Sequence, residues 1–582
     1  MATYVNDLRL KEIATGDESG TWGSSTNTNL ELIGEAMGLG AETIPNASTH
    51  TITMADGTSD EFRSLFLRLT GGGTACTVTL APNTLSHTWI MRNETSAALT
   101  LTQGSGANVT IAAGQTKIVA TDGGGSGAIV YELDDLELAG NLAVGGELST
   151  PSAGTSNFRA GVNAGNSITS GGNYNVLVGD EAGTALTTGD GNVAIGYAAL
   201  DAEDTGTDSV AIGYNALTAQ NNDAANYNVA VGSSAGAAVT TGVQNTLIGG
   251  QAGDAITTAN NNVAIGVAAS GATTTGSSNI SIGVNALGSN TTGGTNVAIG
   301  QDTLFNNTAS NNTAVGHNAM VANTTGTDNV AVGYSALDAN TTANGNNAFG
   351  SQALGANTTG ASNIAIGQQA MFGNTTGSNN TAIGHVALGD NTTADNNTAV
   401  GYFALNANTT GERNIAIGTS ALDANTTGSD LVAVGYLAGT DVTTGTSSVY
   451  VGAFSGEKVT TGTANTVVGR TALRNATTTS NNASFGNDSL ELSTGSSNSF
   501  FGSTSGSVMT TGSKNTVIGR FTGNQGGLDI RTSSNNIVLS DGDGNPRGIF
   551  DSSGRYIVGK SVADNGTAGI TLFPEGVGSF VA

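Results

Sequence analysis

Glycine recurs with a nearly fixed period along most of this 582-residue chain. There are 22 such glycines between Gly161 and Gly519, and 17 of the 21 intervals between them are 17 residues long. The other four intervals are 16, 16, 18 and 19 residues. A fixed period of this kind predicts a repeat architecture in which each unit packs against the next. Representative repeat glycines are Gly196, Gly213, Gly266, Gly300, Gly333, Gly367, Gly401 and Gly435.

The residues that precede each glycine predict a β-strand. They form phrases such as Asn-Val-Ala-Ile-Gly at 192–196, 262–266 and 296–300. The runs are short and β-branched, and glycine interrupts them too often for helices to form. We therefore predict an all-β fold, a parallel β-solenoid (β-roll) of about 22 coils of 17 residues over 157–523. We expect two short strands and two turns in each coil.

The apolar residues of each coil fall on two faces of the predicted strand. Because side chains alternate along a strand, Val193 and Ile195 share one face and Ala194 takes the other. We expect one of these faces to fill the inside of the coil. The alanine face carries methyl groups instead of charges, so we expect it to pack as well. Close association with a neighbouring chain would use that alanine face.

Asparagine occupies the fourth position before the glycine in 19 of the 22 coils. Stacked in register, such side chains can form amide-to-amide ladders. The glycine itself is expected to supply a backbone angle closed to other residues, or room for a close neighbour. A second turn recurs as Asn-Thr-Thr-Gly, for example at 323–326. Representative ladder residues are Asn192, Asn262, Asn296, Asn363 and Asn414.

Composition and charge exclude several classes of function. The net charge of −27 argues against nucleic acid and anionic membrane surfaces as partners, because both are bound through Lys and Arg. Cys76 is the only cysteine, which excludes an intrachain disulfide and a cysteine-based metal cluster. The first residues do not predict a signal peptide, and no apolar stretch predicts a membrane-spanning helix, so no membrane insertion is expected.

Shorter segments flank the repeat. Thr28 and Glu31 have the spacing of a capping box, which predicts a short helix over about 29–39. Alternating apolar residues at about ten-residue spacing predict a small β-sandwich. Near the end of the chain, 537–539 and 556–558 flank turns and predict a terminal hairpin cap. The predicted segments are an attachment arm with a helix at 1–45, the sandwich at 46–133, a connector at 134–156, the repeat at 157–523 and the cap at 524–582.

Motifs for catalysis or metal binding are not convincing. His317 and His385 are four coils apart, too far to share a metal ion. The loop 541–545 begins like a calcium loop but departs from that pattern, and a hairpin turn is the better interpretation. The acidic residues that polysaccharide cleavage requires are scattered over different coils. We therefore predict no enzyme and no catalytic, cofactor-binding or metal-binding residue. The scattered acids are Asp180, Asp254, Asp338, Asp423 and Glu457.

Tyrosine repeatedly follows the repeat glycine. The instances are Tyr214, Tyr334, Tyr402 and Tyr436. Such a stripe can stack on sugars, or it can simply cover an exposed face of the solenoid. Both interpretations make these tyrosines candidates for surface contact.

The Asn-x-Ala-Ile/Val-Gly coil resembles the head repeat of trimeric autotransporter adhesins, over about residues 157–523. The resemblance implies a left-handed parallel β-roll and a homotrimer. The segments 20–30, 67–74 and 89–95 resemble the first part of tail-fibre-like virion proteins of marine phages, especially cyanophages. The segment 546–554 is similar to one found near the ends of such fibres.

Together the repeat and these resemblances imply a trimeric phage tail fibre on the exterior of the virion. The N-terminal region would attach to a tail or capsid adaptor protein, and the shaft would contact a polysaccharide or protein of the host surface. Two alternatives stay open. One is a bacterial trimeric surface adhesin, and the other is a polysaccharide-degrading tailspike.

Overall fold

The computed structural model describes residues 4–5, 8–12, 20–133, 154–558, 569–572 and 578–581. The chain divides into two compact units, Met1–Glu147 and Leu148–Ala582. Most of the predicted connector, residues 134–153, lies outside the described residues.

The first unit begins with two short strands and a helix. Strands β1 (Tyr4–Val5) and β2 (Leu10–Lys11) pair antiparallel, and helix α1 spans Trp22–Ala36. The predicted start near residue 29 was wrong. Thr28 lies inside the helix, where its Oγ1 donates to the Ser24 carbonyl at 3.0 Å, so it caps nothing. Leu32 is the buried residue of this helix.

Two sheets follow, and they share one apolar core. The strands are β3 (Leu39–Ile44), β4 (Thr49–Thr53), β5 (Phe66–Gly71), β6 (Cys76–Ala81), β7 (Thr88–Asn93), β8 (Leu99–Thr102), β9 (Val109–Ile111), β10 (Thr116–Thr121) and β11 (Val130–Glu132). The sheet orders are β11-β10-β7-β5-β3 and β4-β6-β8-β9. From β3 to β8 the chain alternates between the sheets, so the pairs β3–β5–β7 and β4–β6–β8 are parallel. Trp89 anchors the core, stacked on Phe62 at 4.7 Å.

The second unit is a parallel β-solenoid, as the repeat predicts. Its 22 strands of three residues pair in one continuous sheet, each with the equivalent residues of the next coil. They are β12 (Phe158–Ala160), β13 (Val176–Val178), β14 (Val193–Ile195), β15 (Val210–Ile212), β16 (Val229–Val231), β17 (Thr246–Ile248), β18 (Val263–Ile265), β19 (Ile280–Ile282), β20 (Val297–Ile299), β21 (Thr313–Val315), β22 (Val330–Val332), β23 (Asn347–Phe349), β24 (Ile364–Ile366), β25 (Thr381–Ile383), β26 (Thr398–Val400), β27 (Ile415–Ile417), β28 (Val432–Val434), β29 (Val449–Val451), β30 (Thr466–Val468), β31 (Ala483–Phe485), β32 (Ser499–Phe501) and β33 (Thr516–Ile518).

Each coil contains one regular strand, whereas two were expected. The rest of the coil turns at residues with a left-handed backbone conformation, which lie at the second, fourth and twelfth positions after the glycine. After Gly333 these are Ser335, Leu337 and Gly345, with φ of 48°, 54° and 69°. A leucine with positive φ is unusual, and this backbone conformation persists only where the surrounding structure fixes it. Packing of the leucine side chain into the coil provides that constraint, since Leu337 is fully buried.

The inside of the coil is lined by the middle residue of each strand. In 21 of the 22 strands this residue is buried, and in 13 of them it is alanine. Ala194 is fully buried, whereas Ile195 is 36% exposed. The expectation that an outer alanine face mediates association was therefore wrong. The β-branched residues at the first and third positions point outward, because alternation along the strand places them on the face opposite the buried middle residue.

Core volume is balanced within each coil. The fourth position after the repeat glycine is Leu or Met in most coils, and the seventh position is then polar or alanine. In seven of the eight coils with glycine at the fourth position, a larger apolar residue fills the space from the seventh position. A Cβ on Gly456 would lie 2.3 Å from the ring of Tyr450, the bulky middle residue of its strand. The compensating pairs are Gly165 with Ile168, Gly183 with Leu186, Gly236 with Val239, Gly253 with Ile256, Gly439 with Val442, Gly456 with Val459 and Gly506 with Met509.

The repeat glycines have both properties that the sequence predicts. Their φ values lie between 109° and 148°, a region closed to other residues. They also lie against the next coil, since a Cβ on Gly249 would be 2.5 Å from the Gly266 carbonyl oxygen. One coil can therefore follow another closely only if this position has no side chain.

The predicted asparagine ladder is present, but its main contact joins a side-chain amide to the main chain and not one amide to another. The Asn262 Oδ1 accepts from the main-chain N–H of Asn279 at 2.9 Å. The Nδ2 of Asn279 donates to the Gly293 carbonyl at 2.9 Å. Amide-to-amide contacts along the ladder are longer, as between Asn296 and Asn279 at 3.1 Å. The side chain therefore ties the backbone of one coil to that of the next.

A second asparagine ladder lies at the first residue of the Asn-Thr-Thr-Gly turn. Here the amides bond directly to one another, since Asn374 Nδ2 donates to Asn357 Oδ1 at 2.8 Å and Asn391 Nδ2 donates to Asn374 Oδ1 at 2.7 Å. All members are fully buried. They are Asn307, Asn323, Asn340, Asn357, Asn374, Asn391, Asn408 and Asn425.

Replacing Asn374 with alanine should destabilise the solenoid by about 1–3 kcal/mol, because it leaves the buried Asn357 Oδ1 without its donor and removes one of the two acceptors of Asn391 Nδ2. Exposed Thr376 in the same turn provides the control, and its replacement by alanine should change stability by less than about 0.5 kcal/mol. Denaturant midpoints and hydrogen exchange of the adjacent coils would measure both effects. Equal midpoints for the two variants would contradict a stabilising role for this ladder.

The solenoid ends in a short antiparallel sheet. After β34 (Asn524–Gln525) and β35 (Leu528–Asp529), strand β36 (Ile537–Ser540) pairs parallel with β33. Strands β37 (Pro546–Phe550), β38 (Tyr556–Val558), β39 (Gly569–Leu572) and β40 (Gly578–Val581) then add antiparallel in order. The hairpin partner of β36 is therefore β37, and the expected direct pairing of 537–539 with 556–558 was wrong. The 541–545 loop is the hairpin turn, with Asp541 Oδ1 accepting from the Asn545 N–H at 2.8 Å.

Candidate binding surfaces

The outer strand face is a largely apolar surface that runs along all 22 coils of the solenoid. We define it as the first and third residues of β12–β33. Ile364 and Ile366 of one strand are 38% and 41% exposed, and Ile415 and Ile417 three coils further on are similar. Neither position is charged in any of the 22 strands. The third position is apolar in all 22 strands, and the first is apolar in 14 of them and Thr, Ser or Asn in the other eight. An extended, largely apolar surface of this kind is a candidate interaction site.

The post-glycine rank, which we define as the residues directly after the 22 repeat glycines, carries the predicted tyrosines. Tyr214, Tyr334, Tyr402 and Tyr436 are all more than half exposed, so they are surface residues. Several of them stack across adjacent coils. The ring pairs with interplanar angles of 16° or less are Tyr197–Tyr214 at 5.5 Å, His317–Tyr334 at 5.7 Å and His385–Tyr402 at 5.4 Å.

The two repeat histidines belong to these stacks. His317 packs on Tyr334 and His385 packs on Tyr402, one coil further on in each case. No group of three or more metal-ligating side chains occurs within the described ranges. The stacking of His317 and His385 accounts for their position on the surface without a metal ion.

A cleft of about 400 Å³ opens beside the post-glycine rank. It spans three coils because Gly355, at the fifth position after its glycine, has no side chain there. Asp338 and Phe372 occupy the same position in the coils before and after. The ring of Phe372 leans toward Gly355, where a Cβ would lie 3.1 Å from it. The residues that line the cleft are Asp338, Ala339, Gln352, Gly355, Ala356 and Phe372.

Polar groups on one side of the cleft face the aromatic ring on the other. Burial raises the pKa of the Asp338 carboxyl above its ordinary value, and a hydrogen bond from Ser335 partly opposes this rise. The Oε1 of Gln352 accepts from Gln369 Nε2 at 3.2 Å. The Phe372 side chain remains 41% exposed. The cleft thus combines a partly desolvated acid, an amide and an accessible ring.

Glu203 is a fully buried acid inside the solenoid. Its carboxyl accepts from the Gly206 N–H at 2.8 Å, from Gln220 Nε2 at 2.9 Å and from Asn226 Nδ2 at 3.0 Å. Burial raises the pKa of Glu203, and the hydrogen bonds from Gln220 and Gly206 oppose the rise. Because donors surround both oxygens, we interpret Glu203 as a structural member of the polar interior.

Several of the scattered acids have a local hydrogen-bond or ion-pair partner. Glu457 bonds to Arg474 Nε at 2.5 Å, and Asp423 accepts from Thr440 Oγ1 at 2.6 Å. Asp338 belongs to the cleft described above. Asp180 accepts from the main-chain N–H of Val162 at 3.0 Å.

None of the helices in the described parts of the chain has the length and apolar character needed to cross a membrane. Comparison of the chain with protein-family models, with curated proteins and with solved structures finds no match.

The sequence singled out the tyrosines but missed the outer strand face and the cleft. The sequence signal for the cleft is a glycine, Gly355, at the coil position that holds Asp338 one coil before and Phe372 one coil after. This pattern becomes visible only when the coils are aligned by their glycines. The ladder of Asn307–Asn425 would emerge from the same alignment.

Proposed function

We propose that this chain is the shaft of a homotrimeric tail fibre on the exterior of a phage particle, and that it contacts the host surface. The observation that carries the proposal is the uncharged outer strand face, which runs through all 22 coils. Such a face is costly to leave in water, because each exposed β-branched side chain gains free energy on burial. Copies of the same chain match it in length and in coil spacing.

A side-by-side trimer buries this face on every copy. A closed assembly with three-fold symmetry presents the same surface from each chain toward a common axis. The resemblance of the coil to the heads of trimeric autotransporter adhesins favours three copies. The post-glycine rank and the cleft lie at other positions of the coil and would stay on the outside of the trimer.

The N-terminal unit supports attachment to a particle. Its segments 20–30, 67–74 and 89–95 carry the resemblance to tail-fibre-like proteins of marine phages. In the structure they contribute to helix α1 and to strands β5 and β7. A globular unit of this kind is suited to bind a tail or capsid adaptor, while the solenoid extends the reach of the protein.

Immunogold electron microscopy of a culture that produces the protein tests this proposal. Antibodies raised against the purified chain should label fibres on phage particles. Label confined to the bacterial envelope would contradict the proposal and support the rival surface adhesin. Shortening of purified capsular polysaccharide by the protein would instead support a polysaccharide-degrading tailspike.

A further inference from the structure

We propose that the cleft between Asp338 and Phe372 binds the pyranose ring of a neutral surface glycan. The inference rests on the proposed function in host recognition and names the ligand class. Clefts that hold small ligands have volumes of about 300–1,000 Å³ and combine apolar walls with a few convergent polar groups. With about 400 Å³ and three side chains of suitable chemistry, this cleft meets both criteria.

The chemistry of the lining matches a sugar ring. A pyranose has one apolar face of C–H groups and a rim of hydroxyls. The C–H face would lie on the Phe372 ring, whose face carries partial negative charge. Two hydroxyls would donate to the Asp338 carboxylate, and such charge-assisted bonds are about twice as strong as neutral ones. The Gln352 amide can both donate to and accept from a third hydroxyl.

The geometry of the repeat creates this site and fixes its width. Neighbouring strands lie about 4.8 Å apart, so the main chains at Asp338 and Phe372, two coils apart, are separated by roughly 10 Å. The Phe372 ring leans over Gly355 and occupies part of this interval. Gly355 leaves the floor of that space open. Most other coils carry a side chain at this position, which interrupts the groove.

The charge of the cleft indicates which sugars it accepts. Uronic acids and sialic acids would place a carboxylate beside Asp338 in a protein whose net charge is −27. Like charges at short range disfavour binding. We therefore infer that neutral pyranoses are preferred. In a trimer three copies of the cleft would act together, so weak single contacts would suffice for attachment.

Accessibility also agrees with this assignment. The cleft is lined from the second, fifth and sixth positions after the repeat glycine, whereas the outer strand face uses the first and third positions before it. Association through the outer strand face would leave the cleft open. Tyr334 lies in the coil of Asp338, and its exposed ring extends the possible contact along a glycan chain.

Saturation-transfer NMR on the purified full chain tests the proposal. The probes are the methyl pyranosides of glucose, galactose, mannose and N-acetylglucosamine. Methyl glucuronide is the anionic comparison, and choline is the cationic one. At least one neutral pyranoside should show transfer to its ring protons. Phe372→Ala and Asp338→Asn should each weaken its binding at least about fivefold, a loss in the range of one aromatic contact or one charge-assisted bond. Methyl glucuronide should bind more weakly than the matching glucoside.

The chain contains a matched control. Phe305 faces Gly288 as Phe372 faces Gly355, but the next coil back carries Gly271 where the cleft has Asp338. Phe305→Ala should leave sugar binding unchanged. Gly355→Val should abolish binding, because the side chain would fill the floor and displace the Phe372 ring, to which a Cβ there comes within 3.1 Å. The main chain accepts valine at this coil position, since Val321 occupies it two coils earlier.

Two results would overturn the assignment. One is no transfer from any neutral pyranoside, including the case in which choline alone binds. The other is transfer that survives in Phe372→Ala or Gly355→Val, because binding would then lie elsewhere. Because the assay uses the purified chain, its outcome is independent of whether antibodies find the protein on phage particles.

Discussion

Lysine substitutions on the outer strand face should separate the proposed homotrimer into single chains. We expect the sixfold variant to lose the trimeric mass, because an unpaired charge buried at an interface costs several kcal/mol. The isolated solenoid should stay folded, since each side chain is partly exposed in a single chain and surface changes of this kind shift stability by less than about 0.5 kcal/mol each. The substitutions, spread along the solenoid, are Ile195→Lys, Ile248→Lys, Ile299→Lys, Ile366→Lys, Ile417→Lys and Ile518→Lys.

A matched control places the same number of lysines on another face. The second threonine of the Asn-Thr-Thr turn is exposed in successive coils. Lysines there add the same charge without touching the outer strand face, and the mass should remain that of the native protein. Light scattering after size exclusion measures both variants. Retention of the trimer in the isoleucine variant would exclude this face as the interface. The control substitutions are Thr325→Lys, Thr342→Lys, Thr359→Lys, Thr376→Lys, Thr410→Lys and Thr427→Lys.

Two neighbouring glycines should respond very differently to alanine. Gly249 has φ of 136°, and a Cβ there would overlap the Gly266 carbonyl, so Gly249→Ala should cost about 3 kcal/mol or more and loosen the contact between the coils. At Gly250 the nearest atom to a Cβ is the Ser233 carbonyl oxygen at 4.0 Å. Gly250→Ala should therefore change stability by less than about 0.5 kcal/mol.

Denaturant midpoints of both variants, with hydrogen exchange of residues 246–266, provide the measurement. The expected pattern is a lower midpoint and faster exchange around Gly266 for Gly249→Ala only. Similar midpoints for the two variants would show that the repeat glycine is not required by the contact between coils.

The period of the glycines predicted the solenoid, its coil length and the first asparagine ladder. It succeeded because one short unit recurs and each copy meets only its neighbours. The alternation of side chains along a strand also placed Val193 and Ile195 correctly on one face and Ala194 on the other. It could not indicate which face is inside, because both are apolar. Core volume decides this point, since a coil that also buries a leucine such as Leu200 generally has a small residue such as Ala194 beside it.

The binding surfaces were harder to predict for a related reason. The cleft depends on Asp338, Gly355 and Phe372, which are 17 residues apart and carry no shared motif. Their proximity results from stacking alone. The helix start was wrong because the Thr28–Glu31 spacing imitates a cap within a segment that continues helical from Trp22.

The molar mass of the native protein, measured by light scattering with size exclusion, tests the central claim most directly. For the proposed homotrimer we expect a mass near three times the 57.3 kDa of one chain. A mass of one chain would contradict the homotrimer and leave the outer strand face for a different partner.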